Sequence, residues 1–255
     1  MIDETEAIVL RSMDFSDTSK IVTLYSKKFG KIKVMAKGAK RANNKFGASL
    51  QPMTYSSIVF YNKPSRDLHL LSKSEIVEPF ISLHSDSEKM FIGLALIELL
   101  NMAMHDEEEN PAMFELVVQA MKEMNKAEKN SINIFLAFQL RLCAMFGFRL
   151  NLSACRRCGR QSEETHSLHG YLQLTNGTYC CSFCNEETGS GGVKITLGAI
   201  RSMQWLEETP LQNLTQLAVS SSMRDEILSA LQLYLRYHIE GIRTLNSLSL
   251  LYSQR

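Results

Sequence analysis

From Thr18 to Arg66 the chain contains no acidic residue, although eleven lysines and arginines fall in that span and the whole protein has a net charge of only +1. This absence excludes neutralisation by sequence neighbours and points to an anionic partner. Long apolar runs are also missing. The most apolar windows, IGLALIELL and INIFLAFQL, are too short to span a bilayer and include Glu98 and Gln139, so no membrane role is expected. The opening MIDETEAIV has neither the basic start nor the apolar stretch of an export signal, and a cytoplasmic location is expected. Catalytic signatures are absent as well. There is no Gly-x-x-x-x-Gly-Lys loop and no Gly-x-Ser-x-Gly elbow. Neither cysteine pair is preceded by proline, which argues against a zinc deaminase. Catalysis is not expected.

With 255 residues, 45% of them apolar, the chain can bury a large core divided among two or three modules. Charge is uneven: residues 1–80 hold 13 Lys and Arg against 8 Asp and Glu, and the remainder holds 15 against 19. The basic part has five short runs rich in Val, Ile, Leu and Tyr: EAIVLRSM, KIVTLYS, KIKVMAKG, YSSIVFY and LHLLSKSEIV. Turn material such as DFSD, KKFG, RANN and NKPSRD separates them. In the third run Ile32, Val34 and Ala36 alternate with Lys31, Lys33, Met35 and Lys37, so a strand there places its lysines on one face. Lys27 and Lys28 precede this stripe, and Lys40, Arg41 and Lys45 extend it. Five such strands suit a small Greek-key barrel of the oligonucleotide-binding (OB) type, and an SH3-like barrel fits the same counts. Lysines on an edge strand also guard against aggregation. Without nearby acids, however, the stripe is expected to attract a phosphate backbone. Phe15, Tyr25, Phe29, Phe46, Tyr55 and Tyr61 lie near it as core or stacking candidates.

After Pro79 the apolar period becomes helical. Helices are expected over Ser85–Met104, from Asn110 to about Asn125, and over Ser131–Phe146, the last apolar nearly all round and therefore central. The acids Asp106, Glu107, Glu108 and Glu109 between the first two read as a solvated loop, and Cys143 as a packing residue. CRRCGR at 155–160 and CCSFC at 180–184 then form two knuckles whose four thiolates suit a tetrahedral structural zinc site. The two-residue spacings favour Cys155, Cys158, Cys181 and Cys184. Cys180 remains an alternative third ligand, and His166 and His169 are possible substitutes. Beyond GSGG at 189–192, helices return over Leu197–Glu208 and from about Ser222.

The opening EAIVLRSMDFSDTSKIVTLYSKKFGKIKVMAKGAKR, LQP at 50–52, LIELL, the CRRCG and CSFC knuckles and the terminal YLRYHIEG…LNSL together resemble the bacterial RecO family of recombination mediators. The resemblance runs through nearly the whole chain. It implies an α+β multidomain protein: an OB-fold barrel at 1–80, a helical domain at 81–150 and 193–255, and a zinc finger at 151–192 inserted between its parts. It further implies a nucleoid-associated, non-enzymatic protein that binds single- and double-stranded DNA, anneals complementary strands and helps load recombinase on SSB-coated DNA. RecR and the SSB C-terminal tail would be its partners. Lys27, Lys28, Lys31, Lys33, Lys37, Lys40, Arg41 and Lys45 are the expected DNA-facing set. A zinc-stabilised OB-fold module that binds RNA or docks proteins is the alternative.

Overall fold

The structure, a computed structural model, describes residues 1–62, 67–162, 167–189 and 191–253. Lys63 and Arg66 of the acid-free span, the alternative ligand His166 and Ser190 of the Gly-rich joint lie outside the described residues.

Strands β1 (Ile2–Asp14), β2 (Lys20–Ser26), β3 (Gly30–Ala36), β4 (Tyr55–Tyr61) and β5 (Leu68–Glu78) close into a barrel in the order β1-β2-β3-β5-β4. The long first strand serves two neighbours. It pairs with β4 from Ile2↔Tyr61 to Ile8↔Tyr55 and with β2 from Ala7↔Ser26 to Asp14↔Lys20. A register shift between Val9 and Arg11 lets it bend from one to the other. Closure comes from parallel pairing of β3 with β5 over Lys33–Met35. The strand order is that of an OB-like barrel. Period two explains the filling: Ile32, Val34 and Ala36 point inward with Ala7, Val9, Val22, Leu24, Ile58, Phe60 and Leu71. Each fully buried aliphatic side chain there contributes about 1.5–3 kcal/mol. Lys31, Lys33 and Met35 take the outer face, as the alternation requires.

Gly30 begins β3 with φ +60°, and the Ser26 hydroxyl donates to its carbonyl at 3.0 Å while accepting from the Phe29 N–H at 3.1 Å. A Cβ at Gly30 would lie 2.1 Å from the Glu108 carbonyl oxygen, so both the turn and the segment packed over it require glycine.

By compactness the chain divides into one unit of residues 1–126 with 245–255 and a second of residues 127–244. In the first, α1 (Ile81–Ser85), a single turn too short to show a helical period, precedes α2 (Ser87–Ala103), whose N-terminus Asp86 caps by accepting from the Lys89 N–H at 3.0 Å. In α3 (Pro111–Lys126) the Asn110 carboxamide accepts from the Met113 N–H at 2.9 Å. In the second unit, α4 (Ser131–Met145) is buried on nearly every face and packs against α6 (Leu197–Glu208) and α7 (Ser221–His238). A three-stranded sheet of β6 (His169–Gln173), β7 (Thr178–Cys181) and β8 (Val193–Thr196), in the order β7-β6-β8, carries the short α5 (Ser182–Thr188). Cys143 is fully buried in α4, and burial pushes its thiol up, as a packing role requires.

The last helix, α8 (Asn246–Ser253), belongs to the first unit, where it packs on α2. Glu98, the one charge inside LIELL, holds its N-terminus. The carboxylate accepts from the Asn246 N–H at 3.0 Å, the Ser247 N–H at 3.1 Å and the Ser247 hydroxyl at 2.9 Å, opposite the positive end of the helix dipole. Glu98→Ala is expected to cost about 1–2 kcal/mol and to speed amide hydrogen exchange at Asn246 and Ser247. Unchanged exchange would show that the carboxylate does not secure α8.

Candidate nucleic-acid interface and metal centre

The basic stripe has carboxylate partners that the sequence places far from it. Lys31, only 13% exposed, donates to the carbonyls of Asn101 at 3.0 Å and Met104 at 2.6 Å, and lies 3.1 Å from Asp106. It therefore sits at the C-terminal end of α2, where the helix dipole and the unpaired carbonyls both favour a cation. Lys33 reaches the other oxygen of Asp106 at 2.9 Å, and the Lys31 carbonyl accepts from the Glu107 N–H at 2.9 Å. Lys27 pairs with Glu115 at 2.6 Å, and Lys40 with Asp14 at 3.0 Å. Lys28 donates to the Glu4 carbonyl and Lys45 to that of Ser72. One expectation is corrected. The stripe is not free of opposing charge, and the 106–109 loop, solvent-exposed as expected, also rests its backbone and Asp106 on β3. Burial opposes ionisation of Asp106, but the Lys33 and Lys31 ammonium groups hold its carboxyl below the usual range.

Two cations of the expected set remain open. Lys37 and Arg41 are exposed, and among the described residues no carboxylate pairs with either. They flank Gly38 in the turn after β3, on the same segment as Lys40 and Lys45. The aromatic candidates divide sharply. Tyr25, Phe46 and Tyr55 are buried and Phe29 partly buried against the barrel core, whereas Phe15 is 57% and Tyr61 41% exposed.

Among the described residues, Cys155, Cys158, Cys181 and Cys184 bring their sulfurs within 4.8 Å of one another. Cys158 and Cys181 are 3.9 Å apart. A tetrahedron with metal–sulfur bonds of about 2.3 Å has edges of about 3.8 Å, whereas a disulfide would need about 2.05 Å, so the spacing suits four ligands around one cation. Local hydrogen bonds build this arrangement. The Cys155 N–H donates to Arg160 at 2.8 Å and the Gly159 N–H to Cys155 at 2.9 Å, closing the first knuckle, and Arg156 N–H donates to Tyr179 at 3.1 Å, tying it to β7. Cys181 ends β7 and precedes α5, and its own N–H donates to the Cys155 sulfur at 3.4 Å. Successive strand residues face opposite ways, so Cys180 is left out of the cluster next to Cys181. His169 is not in the cluster either.

The thiols differ electrostatically. Burial opposes ionisation of Cys155, yet the N–H groups of Cys181, Cys158 and Arg157 outweigh it and bring the thiol down to about 6. Burial and the neighbouring sulfurs push Cys184 up, and burial with the nearby Cys155 charge pushes Cys180 up to about 11. Four thiols this close cannot all ionise without a cation to offset their mutual repulsion, which is the condition a metal ion would relieve.

Two outcomes follow from this geometry. Cys158→Ser is expected to lower bound metal, measured by elemental analysis of the purified protein, while Cys180→Ser retains it; the reverse result would exchange their roles. Lys31→Met is expected to cost about 1–3 kcal/mol in chemical denaturation, because it leaves the Asn101 and Met104 carbonyls unpaired. Lys33→Met removes only an exposed pair and is expected to cost about 0–1 kcal/mol.

The chain matches two family models, Recombination protein O N terminal over residues 1–80 and Recombination protein O C terminal over residues 84–248. It is 35% identical to DNA repair protein RecO of Salinibacter ruber over 239 residues, covering 94% of this chain and 89% of that protein. Its identity to DNA repair protein RecO of Chloroherpeton thalassium is 28% over 250 residues, covering 97% and 96% of the two chains. To the protein of the same name from Acetivibrio thermocellus it is 24% over 237 residues, covering 93% and 92%. With an OB-like barrel, a helical region and a four-cysteine cluster in the order the models span, this chain belongs to the RecO family of DNA repair proteins.

Proposed function

We propose that this chain is a non-enzymatic recombination mediator that binds single- and double-stranded DNA, anneals complementary strands and helps load recombinase on SSB-coated DNA. The observation that carries the DNA contact is the turn after β3, where Lys37 and Arg41 stand exposed with no carboxylate paired to either among the described residues, beside Lys40 and Lys45. Such cations attract a phosphate backbone of any sequence by releasing its counterions. Lys27, Lys28 and Lys33 contribute where their carboxylate or carbonyl partners can be exchanged for phosphate. Lys31 is assigned to architecture, since its ammonium group is already shared among two carbonyls and a carboxylate.

The cysteine cluster is proposed to hold Zn²⁺ through Cys155, Cys158, Cys181 and Cys184. Bound there, the ion would cross-link the two knuckles, and four thiolates leave no position for a reacting water. RecR and the SSB C-terminal tail are the proposed protein partners, and a cytoplasmic, nucleoid-associated location follows from a DNA substrate. No helix among the described residues is long and apolar enough to cross a membrane.

DNA affinity measured across a salt series tests the cation set. Combined Lys37→Ala and Arg41→Ala substitution is expected to reduce the slope of log affinity against log salt by roughly 0.7–0.9 for each phosphate no longer neutralised. Lys31→Met is expected to leave that slope unchanged. Equal slopes for the parent and the double variant would reject these two cations as phosphate ligands, and competition with RNA of equal length would expose an RNA preference.

A further inference from the structure

We infer that Phe15 is a stacking platform for one unpaired base of single-stranded DNA, held in place by the same loops that carry the open cations. This inference rests on the DNA-binding reading and assigns part of it to a single ring. The register supplies the geometry. Asp14 pairs with Lys20, and Lys20 with Ala36, so these three residues form one row across β1, β2 and β3. Phe15 follows one end of that row and Lys37 the other, about 10 Å apart at two strand spacings. Both residues therefore lie on the same rim of the barrel.

The two rim loops are joined by hydrogen bonds. The Lys40 N–H donates to the Thr18 carbonyl at 3.0 Å, and its ammonium group donates to the Ser16 carbonyl at 3.2 Å. That ammonium group also pairs with Asp14 at 3.0 Å. Within the first loop the Phe15 N–H donates to Ser19 at 3.0 Å, which fixes the backbone from which the ring projects. Phe15 is 57% exposed, and Met13, two residues before it near the end of β1, is 45% exposed. Phe15 lies outside the barrel core, and an exposed aromatic ring on an anchored loop offers a face on which a base can stack.

Charge selects the occupant. Asp14 is engaged by Lys20 and Lys40, so Asp17 is the remaining acid of the loop, against the open Lys37 and Arg41 across the row. A flat apolar ring beside cations suits a base together with its flanking phosphates. Stacking on a ring is tolerant of sequence because every base has a π-face, and a paired base in a duplex cannot reach it.

The test compares parent, Phe15→Ala and Phe15→Tyr proteins on oligothymidylate, on the same strand with abasic sugars, and on a duplex. Thermal melting confirms that each exposed-site variant is folded. Phe15→Ala is expected to bind oligothymidylate roughly 5- to 150-fold more weakly, the range that loss of one stacked base implies. Phe15→Tyr is expected to restore binding, and the salt slope to stay the same in all three. On the abasic strand and the duplex, parent and Phe15→Ala are expected to bind alike. Equal affinity of parent and Phe15→Ala for oligothymidylate overturns the inference and leaves the cation reading standing, as does an equal loss on the abasic strand. A parent that binds none of the three overturns both.

Discussion

One ammonium group ties the barrel to the helices that follow it. Lys31 stands on the outer face of β3, yet its charge is used at the end of α2, where two carbonyls and Asp106 share it. Placing it there fixes the path of residues 104–110 along the strand. It is also the setting in which Gly30 must lack a side chain, because the Glu108 carbonyl passes directly over it. The barrel also meets the first helices where Tyr25 and Tyr55 pack on Phe114 of α3 and where Lys27 pairs with Glu115, but the Lys31 contact is the one most particular about which atoms meet. Burial drives the packing of both parts; the shared cation decides how they register.

Much of this was legible in the sequence wherever the signal was local. Period two in KIKVMA assigns inner and outer faces, and β3 obeys it residue by residue. The five strands, the central helix α4 and the capped start of α3 follow from short-range pattern as well. The cysteine spacings yield the four grouped sulfurs, and strand geometry resolves the choice between neighbours that spacing left open. Local reading failed where charges meet from distant parts of the chain. An acid-free stretch of sequence says nothing of Asp106 or Glu115, which reach Lys31, Lys33 and Lys27 only after folding. Exposure of single rings is similarly invisible: six aromatics look equivalent along the chain, and only folding separates them, with Phe29 and Phe46 packed on the barrel core, Tyr25 and Tyr55 against Phe114 of α3, and Phe15 and Tyr61 exposed.

Division of labour within the basic stripe follows from the same geometry. A lysine that completes a helix end cannot also serve a mobile polyanion without giving up part of the fold, whereas a cation on a turn loses little by exchanging water for phosphate. Cations with structural duties and cations at liberty lie within a few residues of one another on β3 and the turn that follows it. Counting positive residues therefore overstates the surface a polyanion can use.

The return of α8 to the first unit also bears on how the protein is made. Residues 127–244 are synthesised before the helix that Glu98 secures, so the first unit lacks a packing element while the second is already complete. Emergence from the ribosome runs from the N-terminus, and α2 consequently waits with an uncovered face through roughly half of translation. That delay makes the nascent barrel unit the vulnerable stage of biosynthesis, where a chaperone that shields apolar helix surface has the most to contribute.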